Sequence, residues 1–142
     1  MENGIQLIQP VIVLVIWSMV MWAWMYATRL PAVAAMKMKL DPQAPRGQQM
    51  SELPAKVRWK ADNYNHLMEQ PTIFYATALS LVLLGVVTET VIYAAWAYVA
   101  LRVIHSLVQA LVNKIEVRFT LFFLSNVPLI MLVCLAASAA FQ

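Results

Sequence analysis

The sequence predicts an all-α membrane protein: a four-transmembrane-helix bundle formed by a single domain, residues 1–142. Hydrophobic residues make up 62% of the chain and charged residues 12%, with only three glycines, which is too apolar for an ordinary soluble domain. Four apolar stretches reach the roughly 20 residues that a helix needs to cross a bilayer. Basic residues are gathered into one connection, as the loops of a polytopic protein require.

The first span is expected at residues 5–28. It has no small-residue cleavage site and is longer than the apolar core of a secretory signal, so it is read as retained. Pro10 is placed in its first turn, where a missing N–H costs little. The second span is expected at residues 66–88 and the third at 90–112, so close in sequence that they should lie antiparallel as neighbours. The fourth is expected at residues 117–141, with a loop at about 29–65 between the first two.

That loop holds Arg29, Lys37, Lys39, Arg46, Lys56, Arg58 and Lys60 against Asp41 and Glu52, whereas the turn near Glu89 has no basic residue. The positive-inside rule puts the loop and the Lys114–Arg118 turn in the cytoplasm and both termini on the outer side. Trp22, Trp24, Tyr26, Trp59, Tyr64, Tyr93, Trp96 and Tyr98 fall near span ends, as interfacial aromatics do. Topology and contact with anionic lipid account for the +3 net charge, so no nucleic-acid partner is inferred. The stretch "LDPQAPRGQQMSELPAK", with three prolines and a glycine, is expected to be irregular with short helical pieces. Cys134 is alone and reads as a small apolar residue, and His66 and His105 lack a cysteine cluster, so no metal site is expected.

The chemistry lies in "LRVIHSLVQALVNKIEVRF". At about 100° per residue, Arg102, His105, Ser106, Gln109, Asn113 and Glu116 share an arc of roughly 100° on an otherwise apolar helix. Arg102 lies about eleven residues from the cytoplasmic end, roughly 16 Å deep. A bare charge there costs at least about 2.5 to 3.5 kcal/mol, so Arg102 must find a partner inside the protein. The second span offers Asp62, Asn65, His66, Glu69, Thr77 and Ser80 on one face, and Glu69 is the expected counter-ion. Such a pair can also serve only to hold helices together. Pro71 should bend this helix and free the carbonyl of Leu67.

Four spans with outer termini, the segment "DNYNHLMEQPTIFYA" and the third-span run "ALRVIHSLVQALVNKIEVRF" together resemble the MAPEG family, membrane-associated proteins in eicosanoid and glutathione metabolism. "DNYNHLMEQP" is most similar to the family's bacterial branch, which implies a bacterial inner membrane with the main loop and site facing the cytoplasm. The resemblance implies a homotrimer with a site between subunits that binds glutathione as co-substrate and takes a lipophilic small molecule from the membrane lipids. Glutathione's two carboxylates call for arginine or lysine and its ammonium for an acid. By this resemblance Arg118 is the thiolate-stabilising catalytic residue, and Arg29, Asn65, Glu69, Arg102, His105, Gln109 and Lys114 are the cofactor-binding residues. Arg118 projects away from the stripe of the third span and is expected to face a neighbouring subunit.

Two departures from the family pattern stand out. Gln109 occupies the position of a tyrosine in glutathione-binding members, and Phe119 and Phe122 stand where a hydrogen-bonding residue lies near the thiol. Two readings follow. One is a glutathione-dependent transferase or peroxidase acting on lipophilic electrophiles or lipid hydroperoxides, and the other is a non-catalytic lipid-binding membrane protein of the same family.

Overall fold

The computed structural model describes residues 2–142, which form six helices and, among the described residues, no strand. α1 (Glu2–Ala35) is longer than the expected first span at both ends, so Pro10 lies in the helix interior and Pro31 also falls within the helix. Membrane helices tolerate such prolines because neighbouring groups satisfy the freed backbone. α1 stops where Lys37 turns to φ 49°. The amide of Met38 then donates to the carbonyl of Val33 and that of Lys37 to Ala34, a left-handed cap closed by a residue other than glycine.

The connection that follows is shorter than expected, because both of its flanks are helical. Gly47 at φ 84° leads into the short α2 (Gln48–Ser51), and the Gln49 side chain ties the loop together by donating to the Lys39 carbonyl and accepting from the Asp41 amide. Leu53, 2% exposed, is buried just before the next helix begins.

The expected second span at 66–88 is replaced by two helices, α3 (Ala55–Glu69) and α4 (Pro71–Leu83), separated by Gln70 alone. Gln70 keeps helical dihedrals (φ −63°, ψ −38°), but Pro71 has no N–H to continue the ladder. The two halves serve different neighbours: α3 packs on α1 and α5, whereas α4 packs on α1 and α6. The expected pairing of second and third spans is therefore made mainly by the α3 half, with Phe74 of α4 also reaching α5. Gly85, at φ 71°, ends α4 with a Schellman cap, in which the amide of Val86 donates to Leu81 and that of Gly85 to Val82.

α5 (Glu89–Leu111) begins on Thr88, whose hydroxyl accepts from the Val91 amide, and Asn113 at φ 54° turns the chain into α6 (Ile115–Ala140). α1, α5 and α6 are each long and apolar enough to cross a membrane. The apolar core alternates large and small side chains: Leu7, Val11 and Leu14 of α1 meet Phe74, Ala78 and Leu81 of α4 and Val91, Ala95 and Tyr98 of α5. Phe74 stacks on Tyr98 with centroids 4.6 Å apart. Towards the α5–α6 turn this apolar core gives way to a polar one.

Candidate functional site

The polar stripe of α5 turns inward. Arg102, His105, Ser106 and Gln109 are all buried, Arg102 completely so. Ser106 is the meeting point of three helices: its hydroxyl oxygen accepts from Trp17 Nε1 of α1 at 3.0 Å and from Asn63 Nδ2 of α3 at 2.5 Å. This node sets the rotation of α3, and with it which residues of that helix reach the interior.

The rotation differs from the sequence expectation. Asn63 and Leu67 face inward, whereas Asp62, Asn65 and Glu69 are exposed. Glu69 lies two residues after Leu67, about 200° round the helix, so it cannot share the inward face. The expected Arg102–Glu69 pair is accordingly replaced. Arg102 Nη2 donates to the backbone carbonyl of His66 at 3.1 Å, and the guanidinium lies 5.7 Å from the centroid of Phe122. A carbonyl dipole and an aromatic face both attract a cation without adding a second charge to the interior. The acceptor is one residue before Leu67, the carbonyl expected to be free. Nε and Nη1 of Arg102 have no partner.

Beside Arg102, α3, α5 and α6 form an open cavity of about 340 Å³ lined by His66, His105, Ile115, Arg118, Phe119 and Phe122. The two imidazoles stack with centroids 5.7 Å apart and planes 12° from parallel. Phe122 sits against both, 6.1 Å from His66 and 6.3 Å from His105. Arg118 is held over the cavity by Asn113, whose Oδ1 accepts from Arg118 Nη1 at 2.6 Å. The left-handed turn at Asn113 therefore positions this arginine as well as ending α5. Arg118, partly buried, stands over this cavity because the three-residue turn folds the first helical turn of α6 back over His105. Its Nε is buried without a partner.

Among the sequence candidates, the fold brings Arg102, His105 and Arg118 together. Gln109, 1% exposed, lies one turn from His105 within the bundle, and its Oε1 is unpartnered. Arg29 is half-buried near the end of α1. Asn65 and Glu69 lie on the outer face of α3, and exposed Lys114 borders a different depression with Glu116, Val117, Thr120 and Leu121. His66 and Phe122 join the site without having been assigned to it from the sequence. Proximity of a second histidine to the α5 stripe was the available signal for His66. For Phe122 the signal was the family resemblance, which sets it near the thiol, since an aromatic in an apolar helix is otherwise ordinary.

Across α4 and α6, Gln70 Nε2 donates to Asn126 Oδ1, and Asn126 Nδ2 donates to the Phe122 carbonyl at 2.8 Å. This amide chain ties the Pro71 break to the backbone of the residue that supports both imidazoles. The groups around the cavity can receive an anionic or thiol-bearing ligand: the Arg118 guanidinium and two imidazoles, closed on one side by phenyl rings, with the buried charge of Arg102 behind them. Among the described residues there is no cluster of three or more metal-ligating side chains.

A family model described as the MAPEG family matches residues 7–138 of the chain. No curated protein and no solved structure matches it.

Proposed function

Because the chain belongs to the MAPEG family, which includes glutathione transferases and peroxidases, we propose that it is a glutathione-dependent membrane enzyme acting on lipophilic electrophiles or lipid hydroperoxides. The observation that carries this reading is Arg118, fixed by Asn113 over a cavity that it shares with two histidines, with Nε unpaired. A thiol is mostly protonated at neutral pH, and a cation beside the sulfur favours the thiolate, which is the nucleophile. Arg102, buried behind Phe122, adds a second positive charge to the same region.

In the proposed assembly the chain spans the membrane four times, α3 and α4 together making the second crossing. Both termini lie on the outer side, the site opens towards the cytoplasm, and three copies associate. Glutathione's thiol enters the cavity, while Asn65 and Glu69 on the exposed face of α3 meet the peptide's polar groups at the boundary with a neighbouring subunit. Exposed Ile115 and Phe119 at the cavity rim offer an apolar approach from the bilayer for the second substrate.

Phe119 and Phe122 in the cavity wall favour a second reading, a non-catalytic lipid-binding protein, since they supply no hydrogen bond to a sulfur. Titration of glutathione into detergent-solubilised protein separates the two. The enzyme reading expects the ultraviolet thiolate band near neutral pH together with heat of binding. Absence of both would overturn it in favour of the lipid-binding protein.

A further inference from the structure

We propose that His66 is the proton acceptor of this site, taking the proton from the bound thiol and releasing it to water at the cytoplasmic end of α3. The inference rests on the thiolate reading above. Arginine favours a thiolate but cannot receive its proton, because the guanidinium is always protonated. Of the six residues that line the cavity, only the two histidines can accept one, and imidazole does so near neutral pH.

The fold distinguishes the two rings. His105 is 2% exposed, enclosed beneath its neighbours, whereas His66 is only partly buried and stands between the cavity and the outer face of α3. Stacking on His105 and contact with Phe122 fix the plane of the His66 ring. Its backbone is pinned separately, by the bond from Arg102 to its carbonyl. The charged groups that face it are Asp62 and Glu69 on α3, Arg102 on α5 and Arg118 on α6, with His105 the neighbouring titratable ring. Asp62 is exposed about one turn from His66 towards the cytoplasmic end of α3, which gives a departing proton an acidic route to water, and Glu69 is exposed one turn the other way.

The step balances without a further reactant. The S–H bond breaks, its electron pair stays on sulfur, and its proton bonds to an imidazole nitrogen of His66. Water then takes that proton and restores the neutral ring. In conjugation the sulfur–carbon bond forms as the bond from carbon to its leaving group breaks, and the leaving group departs with that electron pair.

Stopped-flow mixing of glutathione with the detergent-solubilised protein, read at the thiolate band, tests the assignment. In His66→Gln and His66→Ala the final amplitude should be largely retained, because Arg118 sets the equilibrium. The rate of appearance should fall about a hundredfold or more, the usual worth of a positioned base. Imidazole buffer should restore part of the rate in His66→Ala, in proportion to the concentration of its neutral form. An unchanged rate in His66→Gln overturns the proposal, and so does a slow rate in His66→Ala that imidazole does not lift. Loss of amplitude together with glutathione binding in both variants would make His66 a structural residue, again overturning it. A wild-type protein that forms no thiolate would overturn the enzyme reading itself, and this inference with it.

Discussion

The guanidinium of Arg102, fully buried in α5, is bonded to the main-chain carbonyl of His66 on α3 and not to the carboxylate of Glu69 on the same helix. A buried cation with a neutral partner behaves differently from half of an ion pair, since removing it strands no opposite charge. Arg102→Met, which keeps much of the volume, should therefore leave the melting temperature in detergent unchanged or slightly raised. Arg102→Ala, which opens a cavity, should lower stability by about 2 to 5 kcal/mol. Equal large losses in both variants would mean that the charge itself is structurally required.

Ser106 joins three helices through one oxygen. Ser106→Ala removes the acceptor for both Trp17 and Asn63 and leaves buried donors unmatched, at a cost of about 1 to 3 kcal/mol. Adding Asn63→Leu should then cost less in the Ser106→Ala background than alone, because the amide has already lost its partner. A double-mutant cycle on thermal unfolding measures this, and strict additivity would show that the contact carries no energy.

Lys37 closes α1 in a left-handed conformation that an L side chain adopts with strain. Lys37→Gly should stabilise the protein by up to about 1 kcal/mol, visible as a higher melting temperature with unchanged helix content by circular dichroism. Lys37→Val should do the reverse, since a β-branched residue is least tolerant of positive φ.

Arg118 and Asn113 form one unit over the cavity. Arg118→Ala should leave folding and most glutathione affinity intact and slow conjugation of a model electrophile about ten- to a hundredfold, each factor of ten being about 1.4 kcal/mol lost from the thiolate. Arg118→Lys should recover part of the rate, because a point charge stabilises sulfur without the fork geometry. Unchanged turnover in Arg118→Ala would remove this arginine from the mechanism.

Reporter fusions test the orientation. A fusion after Gln142 should report the outer side, and one placed within residues 43–49 should report the cytoplasm. The reverse pattern would place the cavity mouth on the outer side and sink the cytoplasmic site.

Local sequence by itself determined the helical class, the long apolar helices and the polar stripe of α5. These follow from hydropathy and a period of 3.6, which act within a few turns of chain, and a helix carrying one polar arc has only one sensible way to face. α3 is different. Asn63 and Asn65, two residues apart, lie on opposite sides of a helix with polar groups nearly all round, so periodicity cannot choose between them. The choice was made by the Ser106 hydroxyl on α5 and the Trp17 indole on α1, partners more than forty residues away in sequence. The same rotation sends Glu69 outward and presents the His66 carbonyl to Arg102. The placement of Arg118 over the cavity is likewise a tertiary outcome, set by the left-handed turn at Asn113 and by α6 packing back on α5. A helical wheel of α6 alone shows which residues share a face with Arg118, but it does not show what that face will meet.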